Sequence, residues 1–102
     1  MFEDIPAEVV GVGIPWYRRG DYRRIREVMA DPEFLPGSFD QWLRRAEQAE
    51  RQLRREGRRP YRARIDAEEF VAWCAERGLD VDGRARQAFA ANPAHWDVGH
   101  EH

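Results

Sequence analysis

The spacing of apolar residues changes several times along this chain, and each change marks an element. Residues 8–14 (EVVGVGI) are rich in β-branched side chains and predict a short strand near 8–12, ended by Pro15 and Trp16. Gly11 and Gly13 weaken a strand there, since glycine adds backbone entropy and packs nothing. From Asp21 the period becomes helical. Tyr22, Ile25, Val28 and Met29 fall on one face, and Pro32 stops the helix after Asp31. Phe34 and Leu35 are the apolar anchors of the loop at 32–37.

The next helix carries the strongest signal. Ser38 is placed to cap it, with Gln41 three residues on as a capping box. Phe39, Trp42, Leu43, Ala46 and Leu53 make one apolar seam, and Gly57 supplies the left-handed residue after Glu56. Arg44, Arg51 and Arg55 share the opposite side, with Glu47–Arg51 and Glu50–Arg54 spaced for i,i+4 pairing. Glu50 lies close to the seam, which predicts its partial burial against an arginine from another element.

Strict alternation returns at 60–65. Tyr61, Ala63 and Ile65 point one way and Arg62 and Arg64 the other, the pattern of a half-exposed strand. Asp66 then caps a third helix, with Glu69 completing a box and Ile65 and Phe70 forming a hydrophobic staple. Phe70, Trp73 and Cys74 are its inner stripe, Gly78 ends it, and Leu79 is set to fold back toward Cys74. A fourth helix runs from Asp80 or Asp82 to Ala91, with Val81, Ala85, Ala88 and Phe89 inward and Asn92 and Pro93 as its stop.

The expected fold is α+β: a small helix-dominated domain of order β-α-α-β-α-α over residues 1–93, then a polar tail at 94–102. An isolated strand does not hold in water. The two strands therefore either form a minimal two-stranded sheet or share a sheet across a homodimer.

Composition bears on function mainly by exclusion. Among 102 residues, twelve are aromatic and the net charge is −2, which argues against disorder and forces neither a nucleic-acid nor a membrane partner. No apolar run approaches the ~20 residues of a bilayer span, and the acidic start is unlike a secretory signal, so a cytoplasmic protein is expected. One cysteine excludes an internal disulfide and a cysteine-based zinc cage. The charge is unevenly placed: residues 1–17 carry −3, residues 18–64 carry +6 and residues 65–102 carry −5. Seven arginines and one glutamate occupy 51–64. Such a segment serves an anionic partner or docks on the acidic third of the same or a second chain.

Each candidate chemistry has a structural competitor. His95, His100 and His102 all lie in the last eight residues, leaving no tuned base expected in the body of the domain. With Asp97 and Glu101 they invite a loose metal, but a solvated terminus does not fix ligand geometry, and no metal or cofactor is expected. Cys74 has no activating base near it in sequence and reads as core. Glu68, Glu69, Asp80 and Asp82 stand at helix starts, where capping accounts for them. Gly11 and Gly13 begin a dinucleotide fingerprint that Pro15 and Trp16 then break. No catalytic set emerges.

Two clusters remain. Trp16, Tyr17, Arg18, Arg19 and Tyr22 combine rings with guanidinium groups before a helix, suited to a carboxylate, a phosphate or a stacked base. The competing view has Trp16 and Tyr22 plugging the core. Arg44, Arg51, Arg55, Arg58, Arg59, Arg62 and Arg64, with Tyr61 interleaved, form a basic face for a protein partner or, alternatively, a phosphate backbone. No helix-turn-helix, RNA-recognition or zinc-finger signature accompanies it.

The layout resembles that of a group of short uncharacterised bacterial proteins. The segments that carry the resemblance are Ile14, Pro15, Trp16 and Tyr17 with Asp21 and Tyr22; Leu35 and Pro36 with Phe39, Trp42 and Leu43; and Asp66 with Phe70, Trp73, Cys74, Arg77 and Gly78. It implies a coherent fold across most of 14–79 and no activity. The expectation is a non-catalytic protein-interaction or regulatory module, acting on a protein partner or on itself.

Overall fold

The computed structural model describes residues 11–97. Its elements run β1 (Gly11–Trp16), α1 (Tyr22–Val28), α2 (Phe39–Arg55), β2 (Arg59–Arg64), α3 (Ala67–Arg77) and α4 (Gly83–Ala91), with short 3-10 turns at Arg19–Asp21, Pro32–Phe34 and Pro93–His95. This is the expected α+β order.

The strands pair with each other in parallel, Gly11 opposite Arg59 through Trp16 opposite Arg64. Parallel strands need a long crossover, and α1 and α2 supply it. A second copy is therefore not needed to complete the sheet. The first strand sits later than its composition suggested. Residues 8–10 of the expected strand lie outside the described residues, and Pro15 and Trp16 are members of β1, not its stop. In a parallel ladder alternate residues face the partner strand, and the Trp16 carbonyl accepts from the Ile65 amide at 2.9 Å. Pro15 is out of phase with that bond, so its missing N–H faces away from β2. Gly13 is in the strand because α4 crosses it closely: a Cβ there would stand 1.7 Å from the Ala90 carbonyl oxygen.

The helix boundaries follow their chemistry. Ser38, Asp66 and Asp82 each accept from the backbone amide three residues on, at 3.0–3.2 Å. Gly57 (φ 80°) and Gly78 (φ 66°) take the left-handed conformation after α2 and α3. Behind them the Arg58 amide bonds the Leu53 carbonyl and the Leu79 amide the Cys74 carbonyl, closing both ends as Schellman motifs. Helix α1 stops at Val28, earlier than Pro32 required, because Met29 turns extended and the Ala30 amide bonds the Val81 carbonyl.

The core has two aromatic clusters. Trp16, Tyr17, Tyr22, Phe39 and Trp42 meet where β1, α1 and α2 converge, with centroids 4.8–6.1 Å apart. Phe70, Trp73 and Phe89 meet between α3 and α4 at 5.2–6.0 Å. Phe70, Ile25, Ile65 and Cys74 are the largest fully buried side chains. On α4, Ala88 faces out; Arg86 and Ala90 take the inner positions instead.

The polar tail expected from residue 94 does not start there. Residues 93–97 fold back onto the body. Trp96 stacks on Tyr61 at 4.5 Å and its indole N–H donates to the Ala90 carbonyl at 2.7 Å. The Asp97 amide donates to the Arg62 carbonyl on the outer edge of β2. His100, Glu101 and His102 lie outside the described residues.

Candidate functional site

The structure divides the predicted arginine face in two. Arg62 is tied into the fold. Its guanidinium donates twice to the buried Glu50 carboxylate, at 2.8 and 3.0 Å, and lies 3.8 Å above the Trp16 ring. The Glu50 bond is the chief cause holding Arg62 above its ordinary pKa. Arg62 and Arg64 stand on the outer side of the half-exposed strand, as alternation predicted, and α2 brings the Glu50 carboxylate to Arg62 there. Glu50 meets an arginine from another element, as its seam position predicted, and so does not pair with Arg54. Arg64 is bound to Asp21 at 2.9 Å, and Tyr61 is committed to Trp96.

The outward side of α2 is different. Arg44, Arg51 and Arg55 share that side and are exposed, Arg45 and Arg54 are exposed on its two flanks, and among the described residues none of the five stands within 4.0 Å of a carboxylate. The Glu47–Arg51 pair is not formed. Arg55 donates to the Gln52 amide oxygen, a neutral partner on the same helix. The face exists because α2 is strongly amphipathic, with Trp42, Ala46 and Glu50 buried on its inner side. Arg44 to Arg55 spans about 16 Å at 1.5 Å per residue. Exposed Arg58 and Arg59 continue the basic surface into the start of β2.

The aromatic and arginine loop is mostly core. Tyr17 and Tyr22 are 2% and 4% exposed, and Trp16 packs against the core that contains them, its ring edge-on to Trp42. Burial pushes the Tyr17 phenol far above the usual tyrosine range, against the pull of nearby Arg86. Tyr22 is raised for the same reason, and its hydroxyl donates to the Pro36 carbonyl at 2.5 Å. Arg18 is exposed, while Arg19 lies over the Phe39 ring and pairs with Asp40 at 2.8 Å. That bond holds the Asp40 carboxyl below its ordinary range. The five residues do not enclose one pocket. Arg19 and Tyr22 instead line a separate open groove with Arg23 and Arg26.

Three features were not anticipated. Arg86 is 7% exposed and pairs with Asp31 at 3.2 Å, while the other Asp31 oxygen accepts from the Gly83 amide at 2.9 Å. Only the aspartate's place before a proline stop hinted at it. His95, expected in the tail, stacks on Phe89 at 3.8 Å. Its Nδ1 is 2.7 Å from the Phe89 carbonyl oxygen, which can only accept, so that nitrogen carries the proton. Arg77 covers the Trp73 ring at 4.4 Å.

The Cys74 thiol is fully buried and pushed up by burial, so the thiolate is disfavoured. Among the described residues no cluster of three metal-ligating side chains occurs, and no helix is long and apolar enough to cross a membrane.

A sequence family described as a domain of unknown function (DUF8829) matches residues 7–98. No curated protein and no solved structure matches the chain.

Proposed function

We propose for this chain, which belongs to the DUF8829 family, a role as a non-catalytic interaction module that docks an acidic protein surface on the outward face of α2. The observation that supports it most is that Arg44, Arg51 and Arg55 share one face of that helix and are exposed, with no carboxylate in ion-pair range among the described residues. Folding leaves those cations solvated. An acidic surface would gain several charge-assisted hydrogen bonds from a helix already rigid before contact, so little ordering entropy opposes binding.

A protein partner fits better than a nucleic acid because part of the phosphate track predicted beyond α2 is committed within the fold. Arg62 and Arg64 hold carboxylates, and Tyr61 is stacked on Trp96 instead of presenting a face to a base. The acidic surface belongs to another protein or to residues 65–102 of a second copy, whose net charge is −5. The first case leaves the 12.0 kDa chain monomeric in sedimentation; the second gives a species of about 24 kDa.

The test is a fluorescence-anisotropy titration of a labelled Glu/Asp-rich peptide at physiological salt. Replacing Arg44, Arg51 and Arg55 together with glutamine is expected to weaken binding about tenfold or more. A duplex oligonucleotide that binds more tightly than the peptide, with a steep loss of affinity as salt rises, overturns the protein reading in favour of nucleic acid.

A further inference from the structure

We infer that the groove between α1 and residues 32–39 is a binding site for a phosphate monoester carried on an apolar or aromatic group. This does not rest on the α2 face. The groove is open, about 680 Å³, and three guanidinium groups line it: Arg19, Arg23 and Arg26. Their spacing of four and three residues places them one above another along the turn and helix that begin at Arg19.

These three are loosely held. Arg19 bonds Asp40, but both side chains are at least 60% exposed. Arg23 reaches Glu27 only at 3.7 Å and is 94% exposed. Exposed pairs of this kind contribute little to stability and exchange readily for a stronger anion. Among the described residues Arg26 has no carboxylate in ion-pair range. Its one acceptor is the Pro32 carbonyl at 3.4 Å, and its Nε–H is shut off from solvent with no acceptor. A shielded donor left without a partner is uncommon in folded proteins, because desolvation is then uncompensated. A ligand oxygen in the groove would supply what Arg26 lacks after a small swing of a long side chain.

The surroundings select the ligand. Tyr22, Pro32 and Phe39 give the groove an apolar wall, and Arg19 already lies 4.6 Å over the Phe39 ring. Glu27 is the one carboxylate in the lining. The first turn of α2 opens on the same groove at Gly37 and Ser38, where a helix carries its positive end. Three guanidinium groups offer more donors than the two oxygens of a carboxylate can accept. A phosphate monoester brings three terminal oxygens and close to two charges. The apolar wall gives its organic group a place to lie.

The experiment is an NMR titration of the whole ¹⁵N-labelled chain with phenyl phosphate, inorganic phosphate and benzoate. Phenyl phosphate is expected to saturate at millimolar concentration, moving amides within 19–39 and the Arg26 Nε–H, and to bind more tightly than the other two. Arg26→Gln is expected to weaken it about tenfold. Arg23→Gln, at a fully exposed position, is expected to weaken it too and keeps the test valid if the first variant fails to fold. Arg59→Gln leaves it unchanged. The proposal fails if benzoate binds as tightly as phenyl phosphate. It also fails if the shifts spread over the α2 arginines, or if the Arg23 and Arg26 variants bind phenyl phosphate as tightly as the wild-type chain.

Discussion

Arg62 and Arg51 stand on neighbouring elements, eleven residues apart, and they have opposite fates. Arg62 is forked onto a buried carboxylate and stacked on an indole; Arg51 has water on the outer side of α2. The same division runs through the molecule. Arg86 and Arg64 join elements by ion pairs, and Arg24 on α1 reaches Glu68 on α3 at 2.7 Å. Among the described residues Arg44, Arg51 and Arg55 make no ion pair to another element. A count of arginines therefore overstates the cationic surface on offer, because part of that charge is already neutralised in place. What separates the two sets is whether a carboxylate has been desolvated opposite.

Substitutions should respect that division. The largest effect belongs to Arg62→Ala, which leaves Glu50 charged in a site 5% exposed. Breaking a buried pair from one side costs about 3 kcal/mol, discounted here because half of the Arg62 side chain meets water. The urea midpoint should fall accordingly. The double replacement of Glu50 and Arg62 by leucine should recover most of the loss, since two apolar groups leave no orphaned charge. Arg86→Ala comes next, at about 2 kcal/mol by the same measurement. Asp31 then keeps its bond from the Gly83 amide but loses its buried cation.

A third expectation concerns pH. The folded Tyr17 phenol holds its proton beyond the usual tyrosine pKa, whereas the unfolded one releases it near ~10. Above that pH the unfolded state binds fewer protons than the native state, so stability is full below pH ~10 and falls as pH rises past it. Tyr17→Phe should flatten the alkaline limb of a denaturation series. Arg24→Gln should have a smaller effect that disappears in high salt, since both partners are largely exposed. Smallest of all, each α2 substitution among Arg44, Arg51 and Arg55 should move stability by no more than about 0.5 kcal/mol. A large loss there would merge the two sets.

Much of this fold was legible in local chemistry. Ser38, Asp66 and Asp82 are capping residues with one good use, and Gly57 and Gly78 sit where a helix end needs positive φ. Glu50 on the α2 seam announced a buried pair because a carboxylate among apolar positions needs a cation. What could not be read depended on contacts distant in sequence. Gly13 looked like a strand breaker until α4 was seen to lie against it, and Trp96 looked like a tail residue until Tyr61 was opposite. Alternation marked Arg62 and Arg64 as outward but could not reveal that α2 and Asp21 were waiting on that side. The aromatic loop was ambiguous for the same reason: rings before a helix suit a pocket wall or a core, and only packing decides. Arg26 carried no signal, being one arginine among many on a short helix.

The decisive measurement is the binding isotherm of the Glu/Asp-rich peptide on the wild-type chain and on the variant with Arg44, Arg51 and Arg55 replaced by glutamine. A loss of about tenfold or more in affinity is the predicted result. Equal affinity for the two chains would contradict it.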